Sequence, residues 1–354
     1  MSLRVGIEFE WLAPKGLSRQ TYAQYLATQI GGSVHHFWHT QVEPAKVPGT
    51  PIFHNLTQGF SILNAQGDKI AHTVGDLTIQ AQLDRSQPAK PGWNRIVSDD
   101  IRLLLLTARH APAMGDLYTS LQPVADMFGT QPQRHDSIVR IEDEYQSSIV
   151  LGAPMPGERE RVCEVVSGII ENPTLQDIDM LIYPAKKLGF TIPIESATHI
   201  HFCARPLQKA RTLKNLILLL HKYRWVLRDI VQTNERCLRL GSWPQELFSV
   251  INDTAFGQLP WNEAKAKLIG LPLTKFCDFN IKNLIHGFSS KNTFELRILP
   301  GLMDSKPVMD AISLFSHIFT YVQHHDVSYC DPIPNTYHED FYTKIGYNSD
   351  HTRG

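Results

Sequence analysis

Apolar and polar residues alternate through the run Val-Gly-Ile-Glu-Phe-Glu-Trp at residues 5–11. Successive side chains of a strand point to opposite faces, so this run predicts a strand with one apolar face. The other face carries Glu8 and Glu10 beside a glycine. Residues two apart on a strand stand about 6–7 Å from each other, so two such acids can reach two metal ions or flank one. A solvated edge strand is the alternative interpretation.

The same alternation recurs in three later runs, at residues 162–167, 198–202 and 293–298. Their polar positions carry one glutamate in the first run, two histidines in the second, and a glutamate with an arginine in the third: Glu164, His199, His201, Glu295 and Arg297. Burying so many charged groups is unfavourable unless a cation and its ligands neutralise them. The pattern therefore predicts a shared metal and phosphate site. The alternative for the two histidines is that they are core residues whose ring nitrogens are hydrogen-bonded within the protein.

Helices are predicted where apolar residues recur at helical spacing between capping and stop signals. The predicted helices span residues 18–30, 101–106, 117–128, 174–188, 207–231, 245–251, 262–269 and 305–324. The stretch 207–231 is the longest of these candidates, and 101–106 also fits a buried strand. A hairpin is predicted from strands at 60–63 and 69–78. Residues 137–150 fit a strand pair or one long strand, and 35–39 fit a histidine-rich strand or loop, with metal binding as the alternative.

Length and composition narrow the class of protein. The 354 residues can bury a large core. The net charge of −1 provides no general excess of positive charge with which to bind nucleic acid or membranes. Five scattered cysteines without CxxC spacing favour reduced thiols. The N-terminus shows no signal segment, and the longest apolar run, Leu216–Leu220, is too short to span a bilayer. We therefore expect a soluble cytoplasmic protein.

The polar strands extend from Glu8 to Arg297, so a shared site needs nearly the whole chain. This favours one catalytic domain over residues 1–330. From residue 331 the sequence is polar and rich in proline, asparagine and tyrosine, which predicts a loosely held tail over 331–354.

The order of the motifs resembles that of the amidoligase family, within the glutamine-synthetase-like group of carboxylate–amine ligases. The motifs are Gly6-Ile7-Glu8-Phe9-Glu10, Glu164-Val165-Val166-Ser167, His199-Ile200-His201 and Phe294-Glu295-Leu296-Arg297. The resemblance covers residues from about 4 to 325. It implies an α+β fold with a curved, mainly antiparallel, glutamine-synthetase-like catalytic sheet backed by helices. The chain departs from the family pattern with Gly168 in place of a proline, Thr198 in place of a glycine, and Thr293 where better-studied synthetases have another arginine.

The resemblance also implies roles for individual residues around ATP and Mg²⁺, with Mn²⁺ as a possible substitute. One cation near the transferring phosphate is held by Glu8, His199 and Glu295. Another is held by Glu10 and Glu164. The catalytic candidates are Glu295, His201 and Arg297. Two of them also contact the cofactor: His201 lies near the phosphates, and Arg297 binds a phosphate or a substrate carboxylate. Arg236 and Asn280 complete the cofactor-binding set. Because Arg236 and Arg239 follow a helix, the alternative role of these two arginines is to cap the carbonyl groups at its end.

The implied activity is ATP-dependent formation of an amide or peptide bond through an acyl phosphate. The residue types fit this chemistry, because phosphoryl transfer needs charge neutralisation by hard cations and a planar guanidinium suits an oxyanion. The expected partners are a carboxylate and an amine, as small molecules or peptides, without nucleic acid or membrane. A metal-dependent hydrolase and a non-catalytic ligand-binding relative are the rival interpretations. The substrates and the oligomeric state are left open.

Overall fold

Strand β1 (Arg4–Leu12) forms where the alternation predicts it. Its apolar face, which comprises Val5, Ile7, Phe9 and Trp11, is almost completely buried. A computed structural model describes residues 3–42, 53–287, 291–328 and 338–347. It contains both helices and antiparallel strand pairs, which confirms a fold that mixes helices with an antiparallel sheet.

The chain divides into two compact units, and each is discontinuous in sequence. The first comprises Met1–Glu8, Ile169–Ile182 and Glu195–Gly354, and the second comprises Phe9–Gly168 and Tyr183–Ile194. Strand β1 and helix α4 (Leu175–Lys187) contribute to both units. A single catalytic domain over 1–330 stays a prediction.

The first unit contains the strand order β12-β13-β11-β1. Strand β13 (Thr293–Pro300) pairs antiparallel with β11 (Ala197–Cys203) and with the short β12 (Phe279–Asn280). Strand β10 (Ile170–Glu171) pairs antiparallel with the start of β1.

Helix α10 (Ser305–His324) packs on the apolar face of these strands. The other helices described in residues 195–354 are α5 (Ala210–Lys222), α6 (Arg224–Ile230), α7 (Gln245–Ile251), α8 (Trp261–Ile269), α9 (Lys282–His286) and α11 (His338–Ile345). Phe202 and Phe294 of the strands pack against Phe315 and Phe319 of α10, with ring centroids 5.1–6.2 Å apart. Because the apolar side chains take this face, the alternating polar side chains lie on the other.

One predicted helix is wrong in its extent. The stretch 207–231 is divided into α5 and α6 at Tyr223, so α10, with 20 residues, is the longest helix among the described residues. At the break the Tyr223 ring is buried and packs 4.7 Å from the ring of Phe341. That contact is with α11, far along the chain, so no local pattern signals the break.

The region expected to be a loose tail includes helix α11. Its Phe341 and Ile345 are buried, so this segment packs on the first unit through ordinary apolar contacts. The rest of the expected tail, at 331–337 and 348–354, lies outside the described residues. Within the described ranges, no helix has the length and apolar character needed to cross a membrane.

The second unit contains a larger antiparallel arrangement in the order β9-β4-β3-β5-β8-β7-β6, with β2 paired to β3. The strands are β2 (Ser33–Val42), β3 (His54–Leu63), β4 (Lys69–Val74), β5 (Asn94–Ser98), β6 (Gln133–His135), β7 (Ile138–Glu142), β8 (Ser148–Pro154) and β9 (Val162–Ser167). The hairpin β3–β4 and the strand pair β7–β8 confirm two predictions, and 35–39 lie in a strand.

Three helices accompany the strands of the second unit: α1 (Arg19–Gln29), α2 (Ile101–His110) and α3 (Leu117–Phe128). Ser18 caps α1 in a capping box with Thr21, and Asp100 caps α2 by accepting from the Arg102 backbone. Residues of α2, α3 and the strands share one apolar core, built around Leu56, Ile96, Leu104, Leu121, Val124, Ile141 and Val150.

Arg19 of α1 is an unexpected part of the interior. It is completely buried, and its guanidinium donates to the carbonyl oxygens of Gln58 at 3.0 Å, Arg159 at 3.0 Å and Val162 at 3.3 Å. The same group lies 4.4 Å from the ring centroid of Trp93. Burial lowers the pKa of Arg19 to about 10, so it stays charged at neutral pH. Arg19 therefore joins α1 to two separate backbone segments, at Gln58 and at residues 159–162.

We expect Arg19→Met to lower the free energy of unfolding by about 3–5 kcal/mol, because it leaves buried carbonyl oxygens without donors. Urea denaturation followed by circular dichroism measures the change. The matched control is Arg109→Met, at an exposed arginine near the end of α2, which should stay within about 0.5 kcal/mol of wild type. Equal losses in the two variants would contradict a structural role for Arg19.

Candidate active site

Cross-strand pairing lines up polar residues of the first unit. His201 of β11 lies directly opposite Glu295 of β13, and Asn280 of β12 lies opposite Glu295 on its other side. Directly opposed residues on one sheet face bring their Cβ atoms to about 4.5–5.5 Å, within reach of each other. The row Asn280–Glu295–His201 is thus built by strand register.

The pairing of β11 and β13 contains an irregularity beside this row. Thr198 is opposite Leu299, whereas Ile200 is opposite Leu296, so β13 has one extra residue at this point. Arg297 and Ile298 together face His199. Bulges bend a strand and re-aim its side chains, and they are common beside functional sites. Here the bulge occurs at the arginine of the Glu295-Leu296-Arg297 motif.

Glu8 of β1 contacts both imidazoles of β11. Its Oε2 lies 3.1 Å from His199 Nδ1, and its Oε1 lies 3.0 Å from His201 Nε2. The carboxylate therefore bridges the two histidines, using a different oxygen for each. The predicted polar faces of β1 and β11 meet in this contact.

Glu295 is the second carboxylate of the cluster. Its Oε1 lies 3.8 Å from His199 Nδ1 and 4.0 Å from His201 Nε2. Asn280 donates a hydrogen bond of 2.6 Å to its Oε2, and Arg297 donates from Nη1 to its Oε1. Donors on both sides thus fix the orientation of this buried carboxylate.

Attraction between opposite charges in the cluster offsets the unfavourable effect of burial on their ionisation. Burial opposes ionisation of Glu8, but attraction to His201 and hydrogen bonds with both histidines outweigh it and hold the pKa of Glu8 well below its usual value. Burial likewise opposes ionisation of Glu295, yet His201 and Arg297 lower its pKa. For His201 the balance is reversed, since Glu8 and Glu295 overcome burial and raise its pKa.

Three of these side chains are arranged so that they could hold a metal ion. One ligand atom each from Glu8, His201 and Glu295 lies within 4.8 Å of the other two. Two carboxylates and one imidazole are ligands that Mg²⁺ or Mn²⁺ can take. His199 contacts the same Glu8 carboxylate, and Thr293 Oγ1 lies 3.3 Å from the other ring nitrogen of His201. Such contacts orient metal ligands.

The structure brings together six of the residues singled out in the sequence: Glu8, His199, His201, Asn280, Glu295 and Arg297. Glu10 and Glu164 belong to the second unit, where Glu10 is buried and Glu164 lies half-buried on β9 opposite Val74. Their role at a second cation stays a prediction. Arg236 is exposed, and its backbone N–H donates to the Asn234 side chain. Its role at the cofactor also stays a prediction.

Asp278 is a residue of the site region that the sequence analysis missed. Its buried carboxylate accepts from Arg224 Nε at 2.6 Å and from the Gly241 backbone at 3.1 Å, and its carbonyl oxygen accepts from the Arg297 backbone at 3.1 Å. The signal that could have found it is the alternation of Asp278-Phe279-Asn280-Ile281, which repeats the polar–apolar pattern of the other site strands.

Comparison with known proteins identifies the family. A profile of the family described as "Putative amidoligase enzyme" matches residues 1–319, and the chain belongs to that family. This membership confirms the resemblance drawn from the motifs. Neither the curated proteins nor the solved structures contain a match to the chain.

The pairing of His201 can be tested by the pH dependence of stability in metal-free protein. The pKa of His201 is raised in the fold, so its protonated form contributes stability that is complete below the unfolded value of about 6.5. That contribution is lost as the pH rises through the folded pKa. We therefore expect His201→Gln to lower the free energy of unfolding more at pH 6 than at pH 9, in urea titrations with a chelator present. A loss of the same size at both pH values would contradict the pairing.

Proposed function

We propose that the protein is an ATP-dependent carboxylate–amine ligase that forms an amide or peptide bond through an acyl phosphate. Membership of the amidoligase family supports ligase chemistry. The observation that carries the finer proposal is the bridging of Glu8 between two imidazoles, with Glu295 and Arg297 beside it. This arrangement combines donors for a divalent cation with a guanidinium for an oxyanion.

The proposed fold is the glutamine-synthetase-like catalytic sheet. Supporting features are the antiparallel pairing of β11, β12 and β13, a face of these strands packed by helix α10, and polar side chains on the opposite face. The location that we propose is cytoplasmic. The described cysteines Cys163, Cys203, Cys237 and Cys277 are all free thiols, which fits a reducing compartment.

In the proposed metal centre, Glu8, His201 and Glu295 hold Mg²⁺, or Mn²⁺ in its place. His201 here takes the ligand role that the resemblance gives to His199, and His199 positions Glu8. The bound ion supplies charge neutralisation for the phosphoryl group that is transferred. We further propose, from the resemblance, that Glu10 and Glu164 hold a second cation.

The proposed reaction joins a carboxylate and an amine, as small molecules or peptides. The carboxylate oxygen attacks the terminal phosphorus of ATP, ADP leaves, and the resulting acyl phosphate has a good leaving group. The amine nitrogen then attacks the acyl carbon, phosphate leaves, and the nitrogen loses a proton. Arg297 is positioned to donate hydrogen bonds to oxygen atoms that gain charge, while Asn280 keeps Glu295 oriented.

The metal centre can be tested without any substrate. Millimolar Mg²⁺ or Mn²⁺ should raise the melting temperature, because an ion that binds only the folded state stabilises it by mass action. Glu295→Gln should remove most of this increase, since it removes one anionic ligand. The control is Glu263→Gln, at an exposed acid of α8, which should keep the full increase. An unchanged wild-type melting curve would refute the site.

Turnover is tested by ADP release over a panel of amino acids and short peptides. ADP should be released when a carboxylate and an amine are both present. Arg297→Lys keeps the charge but loses the planar fork, so we expect turnover to fall about 10²–10³-fold while ATP still binds. Arg205→Lys, at an exposed arginine, is the control and should match wild type.

The rival activities give different results in the same assay. Cleavage of a peptide or phosphate ester without ATP would favour a metal-dependent hydrolase. Binding of ATP with no ADP release for any pair of substrates would favour a non-catalytic binding protein.

A further inference from the structure

Strand β2 forms an outer edge of the sheet in the second unit, because it pairs with β3 alone among the described strands. The pairing runs from Ser33, opposite Leu63, to Val42, opposite His54, without a register shift. Helix α1 contacts β2, β3 and β4, and α2 contacts β2, β3 and β5, so both helices cross a face of the sheet. The backbone groups on the outer side of β2 therefore have no partner strand in the described part of the chain.

The other described strands with a single neighbour are much shorter than β2. Strands β10 and β12 have 2 residues each and β6 has 3, whereas β2 has 10. Short strands, lysine, proline and bulges protect a free edge from pairing with other chains. The sequence of β2, Ser-Val-His-His-Phe-Trp-His-Thr-Gln-Val, contains no lysine, proline or acidic residue, and its pairing contains no bulge. The edge of β2 thus lacks these protections, which indicates that it is used.

The side chains on one face of β2 are arranged symmetrically about a central phenylalanine. The Phe37 ring packs over Gly59, where a Cβ atom would lie only 2.5 Å from the ring, and meets the His72 ring edge to face at 5.7 Å. A histidine stands on each side of this fixed ring, with a small or amide side chain beyond it. In order, the face consists of Ser33, His35, Phe37, His39 and Gln41.

This symmetry fits a second copy of the same chain. Two copies related by a twofold axis perpendicular to the sheet pair antiparallel and keep the same face on the same side. With the axis at Phe37, that ring lies opposite Phe37 of the second copy, and His35 lies opposite His39 of the second copy. Opposed aromatic side chains stabilise antiparallel strands, and no pair of acids or of lysines is brought together.

The length of β2 suits such an interface. Pairing of residues 33–41 in both copies would form about 8–10 backbone hydrogen bonds between the chains, which is the number found in a typical protein interface. The side chains of His35 and His36 are exposed, so no rearrangement of the core is needed for a second strand to approach.

We propose that β2 pairs antiparallel with β2 of a second copy, so that the sheet of the second unit continues across a twofold axis at Phe37. The same surface of each copy then forms both halves of the interface. Among the described residues, the histidines of β2 belong to no group that could hold a metal ion. Pairing gives this histidine-rich strand a role that needs neither a metal nor ligase activity.

The first test is the mass of the wild-type full-length chain by light scattering, with a chelator present so that no metal joins histidines of two copies. At micromolar concentration the mass should be twice the 40.1 kDa of the chain. His35→Lys with His39→Lys places lysine opposite lysine, and His35→Glu with His39→Glu places glutamate opposite glutamate. Each double variant should raise the dissociation constant of the dimer about 10-fold or more, because opposed like charges destabilise a strand pair.

An equal mixture of the two double variants tests the register itself. Lysine then faces glutamate in both pairs, so the mixture should form a heterodimer more tightly than either variant forms a homodimer. The matched control is His110→Lys with His135→Lys, which makes the same change of charge at two exposed histidines of α2 and β6. This control should dimerise like wild type.

Hydrogen exchange of wild type decides the question even if a double variant fails to fold, as circular dichroism would show. On dilution, amide exchange should become faster in residues 33–41 and stay unchanged in the short edge strand β6. The proposal is overturned if wild type is monomeric, if the double variants dimerise as tightly as wild type, or if their mixture associates no better than each alone. A dimer whose exchange in β2 does not depend on concentration uses another surface and also overturns it.

Discussion

Two carboxylates that share a buried polar face, Glu8 and Glu295, impose the main physical constraint on the first unit. Desolvation and mutual repulsion both disfavour two adjacent negative charges. In the metal-free protein the opposing charges come from His201, whose protonated form is favoured, and from Arg297. A divalent cation would take over the role of the His201 proton. In the metal centre that we propose, this exchange would suit an imidazole that faces both carboxylates, because an imidazole can lose its charge near neutral pH.

The apolar side of the same strands is what keeps these charges together. Phe202 and Phe294 lie within the aromatic cluster that includes Phe315 and Phe319 of α10, and this packing fixes which face of β11 and β13 points away from the helices. A slip of one residue in either strand would exchange the polar and apolar faces. The position of Glu295 opposite His201 therefore depends on the phenylalanines as much as on any polar contact.

Alternation along a strand is a local property, so the sequence could predict which residues share a face. It correctly grouped His199 with His201 and Glu295 with Arg297. It could not predict strand register, because register depends on residues distant in sequence. The bulge opposite His199 and the contribution of Asp278 depend on such distant residues, so the sequence did not predict them. The same limit applies to helices: the predicted helix is interrupted at Tyr223, whose ring packs against Phe341, more than a hundred residues further along the chain.

The departures from the family pattern have specific consequences for charge in the site. Thr198 accepts a hydrogen bond from the Leu302 backbone at 3.0 Å, so it anchors the segment that follows β13. Thr293 stands where better-studied synthetases have an arginine, and its hydroxyl contacts His201 Nδ1 at 3.3 Å. A neutral hydroxyl adds no positive charge at that nitrogen and can orient the imidazole for the role that we propose for His201, metal binding through Nε2.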